Sequence, residues 1–426
     1  MMTINYINAA EAVKKIESNN RIFVHGSAAT PAHLLKALFA QKERLRNVEL
    51  ISISTLGKDL FADPDLKKSF FFNSLFVSEN VRHIINDDYG EYIPVFLSEI
   101  HLLFENKVLP LDVALIHVSP PDSHGYCSLG TSVDVALSAV NNAKWVIAQV
   151  NKQMPRSHGD GIIHVSKMNA MVEVDEALPE VSYTHKINEA ALQIGKHCAE
   201  LIADRSTLQM GIGSIPDAVL SCLHNHKDLG IHTEMFSDGV LPLVEKGVIT
   251  NKYKKKHPNR LVSGFVIGSR KLYDFIDDNP QVRLLDIAYV NNPYVIRQNP
   301  NAVSINSAIE IDLTGQVCAD SIGTYHYSGV GGQMDFMRGA TMSPGGKAII
   351  ALPSVSKNGE SKIAPFLKQG AGVVTTRAHV HYVVTEYGVA YLFGKNMVQR
   401  AKALLAIAHP NHREWLQQEI FKRFGV

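Results

Sequence analysis

The sequence predicts an α/β fold built on open, mostly parallel sheets, and three observations carry that expectation. Apolar runs rich in β-branched residues recur along the chain and are nearly continuous rather than alternating, as in strands buried on both faces. Helix-like stretches separate them, the pattern of strand–helix–strand units. The chain has 426 residues, of which 46% are hydrophobic, enough for two large cores.

In the first half the expected strands are RIFVHG (21–26), VELISIS (48–54), FFFNSLFVS (70–78), DVALIHVS (112–119) and KWVIAQV (144–150). Between the first two, Leu34, Leu35, Leu38 and Phe39 fall on one helical face. Pro31 opens this helix, with Thr30 as the expected N-cap. The stretch 173–190 is charged, contains proline and is weakly periodic, and reads as a linker. A helix over INEAALQIGKHCAELIA follows, and the strands restart with STLQMGIG, GIHTEMF, LVSGFVIG, VRLLDIAYV, AVSINSAIEIDL, KAIIALPS and VVTTRAHVHYVVTEYG. Two helices, MVQRAKALLAIA and HREWLQQEIFKRF, end the chain. The expected organisation is two α/β domains, 1–187 and 188–426.

Charge narrows the function classes. Lys and Arg total 42 against 41 Asp and Glu, a net charge of +1, which argues against a nucleic-acid partner bound through global charge. The four cysteines, at 127, 198, 222 and 318, form no CxxC pair, so neither a disulfide scaffold nor structural zinc is expected. Without an apolar N-terminal h-region or a membrane-length apolar run, the expectation is a soluble, cytoplasmic protein with no membrane partner.

Two glycine segments can hold an anion. TLQMGIGSIPDAVL (207–220) reads as strand, tight turn and helix, with Ser214 capping, Asp217 three residues on and Pro216 in the first turn. Gly211 and Gly213 would let backbone approach a ligand at the helix start. The third glycine of a dinucleotide fingerprint is replaced by Pro216, which weakens an NAD reading, and a simple strand–helix turn is the alternative. In YHYSGVGGQMDFMRGATMSPGGKAII (325–350), Gly329, Gly331 and Gly332 can aim backbone amides at an oxyanion or phosphate, or merely permit a tight turn. Lys347 does not complete a P-loop, because Thr341 and Ala348 stand where glycine and Ser/Thr are required.

Other features favour structural readings. Cys127 reads as a small buried hydrophobe, the pairs His224/His226 and His379/His381 lack a third metal ligand, and KYKKKH (252–257) reads as a solvated turn. Glu234, in GIHTEMFSDG, is different. A carboxylate near the end of an apolar strand sits where open α/β sheets bind ligands, and it is costly to bury alone. It is a salt-bridge partner, a cap to a neighbouring loop or a nucleophile.

The segments QMGIGSIPDAVL, GIHTEMFSDGV, INSAIEIDLTGQV, SGVGGQMDFMRGA, SKIAPFL, HYVVTEYGVAYLFGK and QRAKALLAIAHPNHREWL, with DVALIHVSPPDSHGYCSLG in the first half, occur in one order over essentially the whole chain. Together they resemble the acetyl-CoA hydrolase/transferase family, in the branch of 4-hydroxybutyrate and butyryl-CoA:acetate CoA-transferases. The resemblance implies the class I CoA-transferase fold, two open-sheet α/β domains with the active site in the cleft between them. It implies that Glu234 forms a covalent glutamyl-CoA thioester, that Asn291 lies near the reacting thioester, and that the Gly332 amide serves the glutamyl carbonyl. Gly211, Ile212, Gly213, Asn306, Gly329, Gly331 and Lys362 then correspond to coenzyme contacts. No metal and no tightly bound cofactor is implied. The implied partners are acyl-CoA, small carboxylic acids and further copies of the chain in a homodimer or higher homo-oligomer. An acyl-CoA hydrolase on the same scaffold and a non-catalytic acyl-CoA sensor are the alternatives; an intact Glu234 beside intact glycine turns speaks against the sensor, which needs no nucleophile.

Overall fold

The computed structural model describes residues 5–57, 59–182 and 187–425. Residues 183–186 of the expected linker lie outside them. The chain divides into two compact units, one of residues 1–181, 262–290 and 326–331, the other of 182–261, 291–325 and 332–426.

The first unit is built on seven parallel strands: β1 (Arg21–Val24), β2 (Val48–Ser52), β3 (Phe70–Ser74), β4 (Gly90–Tyr92), β5 (Val113–Val118), β6 (Trp145–Asn151) and β7 (Ala170–Val174). Their order is β4-β3-β2-β1-β5-β6-β7. Central β5, VALIHV, is buried at every residue, which is why its sequence does not alternate. Helix α1 (Ala32–Phe39) buries the expected Leu34, Leu35, Leu38 and Phe39. Its start differs from the expectation. Pro31 occupies the N-cap, and Thr30 instead donates its hydroxyl to Ser27 O while accepting from Leu56 N–H. The cap comes from afar: Gln149 Oε1 accepts from the N–H groups of His33 and Leu34.

The second unit carries a six-stranded sheet: β8 (Thr207–Met210), β9 (Gly230–Ile231), β10 (Ala302–Ser307), β11 (Lys347–Ala351), β12 (Tyr382–Thr385) and β13 (Gly388–Tyr391). The order is β9-β8-β10-β11-β12-β13, parallel except for the β12–β13 hairpin. Helices α2 (Glu189–Leu201), α3 (Ser214–Ser221), α4 (Gln333–Met342), α5 (Met397–Ala406) and α6 (Pro410–Phe424) belong to it. Ile350, Val383, Met337, Leu404, Leu416 and Ile420 form part of one buried cluster there. The expected strands LVSGFVIG and VRLLDIAYV are shortened to Leu261–Ser263, Phe265–Val266 and Val282–Leu284 and do not join this sheet; residues 262–290 pack with the first unit. No helix among the described residues is long and apolar enough to cross a membrane.

All four cysteines are free thiols. Burial pushes Cys127 and Cys198 up to about 12 and raises Cys318 as well, while Cys222 is partly exposed. Alkylation of the native protein at pH 8, read by peptide mass spectrometry, is expected to modify Cys222 before the other three. A first label on Cys127 would contradict its place in the core.

Candidate active site

The six-stranded sheet sets up the candidate centre of the second unit. After the two-residue strand β9 the chain runs through His232, Thr233 and Glu234 before pairing again at Met235–Phe236. Thr233 pins this segment to β8. Its Oγ1 accepts from Met210 N–H and lies within hydrogen-bonding distance of the carbonyls of Met210 (3.1 Å) and Met235 (2.8 Å). Glu234 is thereby held between two fixed residues.

Asn291 is fully buried, and its Nδ2 lies 3.4 Å from Glu234 Oε2 and 3.2 Å from Asp335 Oδ2. The amide nitrogen thus faces both carboxylates, the only orientation in which the side chain is attractive to each. Gly332 is the N-cap of α4, and its backbone N–H also bonds the Glu234 carboxylate. The N-terminal end of α4 adds a favourable partial charge for an anion.

Although some of its surface stays accessible, the Glu234 carboxyl is enclosed closely enough for burial to dominate its titration. Its pKa is pushed up to about 7, with the Asp335 charge raising it further and the Asn291 and Gly332 bonds opposing. Between the unfolded value near 4.5 and about 7, the folded chain holds a proton that the unfolded chain has lost, so stability falls as pH rises across that window. Glu234→Gln removes this cost. We expect it to raise the melting temperature at pH 8 but not at pH 4, by up to roughly 3 kcal/mol in unfolding free energy. Equal melting curves at pH 8 would show that the carboxylate is solvated.

Glycine at 332 is required by space. Its φ of −96° is open to any residue, but a Cβ there would overlap Glu234 Oε2 and Asn291 Nδ2. Gly331 needs its glycine for conformation, at φ +55°. Gly329 and Gly331 belong to the first unit, where a Cβ on either would press on Phe76. That turn is anchored by Val330 N–H to Tyr92 Oη at 2.8 Å and Leu97 N–H to Gly331 O at 3.0 Å.

The first glycine segment also departs from its expected cap. Gly213, at φ +125°, is the N-cap of α3, and Ser214 is already helical. Asp217 accepts instead from Ser237 Oγ at 3.1 Å, just after the Glu234 segment. A Cβ on Gly211 would make an ordinary contact with Pro216 Cγ at 3.7 Å, one on Gly213 would meet open space, and Ile212 is 38% exposed between them. Asn306 is buried on β10 and forms a reciprocal amide pair with Gln209 on β8, at 3.1 and 3.2 Å, supported by Ser304. Lys362 donates to Ala308 O, and burial lowers its pKa against the pull of Glu386.

The structure therefore brings Glu234, Asn291 and Gly332 into contact. Asp335 and Gln209 were not singled out by the sequence reading. Asp335 sits in the GGQMDF motif, and Gln209 is a polar residue in an otherwise buried strand, so each left a faint signal.

The comparisons identify the scaffold. Residues 3–182 match the acetyl-CoA hydrolase/transferase N-terminal domain, and residues 268–420 match the C-terminal domain of the same name. The chain belongs to the acetyl-CoA hydrolase/transferase family. Among its relatives, the succinyl-CoA:acetate/propanoyl-CoA:succinate CoA transferase of Fasciola hepatica is 53% identical over 98% of this chain and 88% of its own length. The 4-hydroxybutyrate coenzyme A transferase of Clostridium kluyveri is 49% identical over 98% of this chain and 97% of its own. A solved 4-hydroxybutyrate CoA-transferase from Porphyromonas gingivalis superposes with a TM-score of 0.85, at 41% identity and 98% coverage of both chains. Glu234 lies between the two matched family segments.

The pairs His224/His226 and His379/His381 do not lie on strands, and no group of three or more metal-ligating side chains occurs among the described residues.

Proposed function

We propose that the chain is a CoA-transferase that passes CoA from a short-chain acyl-CoA to a small carboxylate through a thioester on Glu234. The observation that carries this reading is the deep-set Glu234 carboxylate bonded by the Asn291 amide and the Gly332 N–H. Its relatives act on acyl-CoA thioesters and carboxylic acids, and the chain is a transferase of that kind. The substrates we propose are 4-hydroxybutyryl-, butyryl-, propionyl- or acetyl-CoA with an acceptor such as acetate.

Glu234 attacks the acyl carbonyl and expels CoA thiolate, leaving a mixed anhydride. The thiolate then attacks the glutamyl carbonyl, releasing the first carboxylate and forming glutamyl-CoA. An incoming carboxylate reverses both steps, so the thioester bond is conserved. A carboxylate is a weak nucleophile, and the site compensates by positioning and by stabilising the oxyanion. Desolvation keeps Glu234 reactive when ionised, while the Asn291 amide and the Gly332 N–H are available to the tetrahedral oxygen once the carboxylate charge has moved there. In this reading Gly211, Ile212, Gly213, Asn306, Gly329, Gly331 and Lys362 hold the coenzyme, in a cytoplasmic homo-oligomer.

Initial rates with butyryl-CoA and a panel of acceptor acids test the function. Parallel double-reciprocal lines are expected, and intersecting lines would require direct transfer in a ternary complex. Thioester loss without any acceptor acid, at the rate seen with one, would favour the hydrolase. Because the nucleophile must be ionised, the single-turnover rate should rise with pH through a midpoint near 7. A midpoint near 4.5 would mean that Glu234 is solvated during attack.

A further inference from the structure

Strand β9 consists of Gly230 and Ile231 only and lies at the edge of its sheet, paired on one side with β8. An edge strand this short leaves backbone groups to be satisfied from elsewhere. Here two side chains from the loop between the helix Leu241–Glu245 and the strand Leu261–Ser263 do so. Asn251 Oδ1 accepts from Ile231 N–H at 2.8 Å, and Lys254 Nζ donates to Ile231 O at 2.6 Å. Lys254 also donates to Arg260 O at 2.7 Å, which closes its own loop.

Neither residue is where its composition would put it. Lys254, in the middle of KYKKKH, is only 4% exposed, contrary to the solvated turn that the sequence suggests. Asn251 is 2% exposed and adopts φ +60°, a conformation asparagine tolerates better than most residues. Among the described residues Lys254 forms no ion pair. Burial alone pushes its pKa down to about 7, so a costly group is kept inside without a counter-charge. Its stem passes over Gly230, where a Cβ would lie 2.7 Å from Lys254 Cγ. Strand and lysine are fitted to each other.

Ile231 stands three residues before Glu234, with Thr233 already tied to β8. We infer that Lys254 and Asn251 are positioning residues that clamp Ile231 and so fix where the Glu234 carboxylate meets Asn291 and the Gly332 amide. This inference rests on the proposed role of Glu234. The clamp touches no reacting atom and acts through the backbone. A loosened strand lets the carboxylate wander, and misplacement by about 1 Å can cost on the order of 10²-fold in rate.

The test is single-turnover formation of the CoA adduct on Glu234, followed by mass spectrometry in the full-length protein with butyryl-CoA and no acceptor acid. Lys254→Met keeps the aliphatic stem and removes the donor. Asn251→Gly removes the acceptor while permitting the positive φ, and it reads the same clamp if Lys254→Met fails to fold. Each variant should form the adduct about 10- to 100-fold more slowly than wild type, with butyryl-CoA affinity changed by less than about threefold. A purely structural role would lower the melting temperature yet leave the adduct rate of folded protein at the wild-type value, and that result overturns the inference. Failure of wild type to form any adduct on Glu234 would instead overturn the reading on which it rests.

Discussion

Glu234→Gln is expected to abolish CoA transfer, lowering turnover on the order of 10⁴-fold or more, in a protein that folds at least as well as wild type. An amide is nearly isosteric with the carboxylate but cannot attack an acyl carbonyl, and a lost nucleophile is among the largest single effects in enzyme kinetics. Wild-type protein incubated with acyl-CoA and no acceptor should carry CoA on the peptide containing HTEMF. The glutamine variant should carry none. An adduct on Cys127 would place the chemistry elsewhere, although that thiol is buried and its pKa is pushed up to about 12.

Gly332→Ala is the second large effect. The methyl group would occupy the space of Glu234 Oε2 and Asn291 Nδ2, so the nucleophile or the helix start must move. Losing a well-placed oxyanion donor costs about 10²–10³ in turnover, roughly 2.7–4 kcal/mol. We expect kcat to fall by that order, with KM for acyl-CoA changing much less. A raised KM at nearly normal kcat would mean that this glycine shapes coenzyme binding alone. Circular dichroism on the same preparation separates either outcome from misfolding. The φ of −96° is open to alanine, so the expected loss comes from the overlap and not from the backbone conformation.

Much of the scaffold was legible because burial on both faces writes itself into continuous apolar runs such as VALIHV. Helix α1 was equally plain, since four apolar side chains at helical spacing share one face and are buried together. Helix starts were less so. Thr30 and Ser214 both have capping chemistry, but Gln149 caps α1 from a distant strand and Gly213 begins α3. A side chain's partner across the sheet is a tertiary fact that local spacing does not record. The same holds at the site. Glu234 and Gly332 stand out as a lone carboxylate and a glycine run, whereas Asp335 reaches Asn291 from helix α4 and Gln209 meets Asn306 only through the register of β8 and β10. KYKKKH misled for a related reason. Three consecutive lysines look solvated until a short strand edge needs one of them.

The discontinuous units have a consequence for how the protein is made. The chain passes between them at five places, and the first unit is complete only when residue 331 has been synthesised. That is about 150 residues after its main segment ends at 181. At typical elongation rates a ribosome takes roughly 10–30 s over that distance, during which the first unit has all seven strands of its sheet but lacks its last two pieces. Folding one unit fully before the next begins, the common course for multidomain chains, is not open to this protein. The second unit waits longer still, for residues 332–426, and a recombinant boundary drawn anywhere between 182 and 331 would separate residues of one unit from their own core.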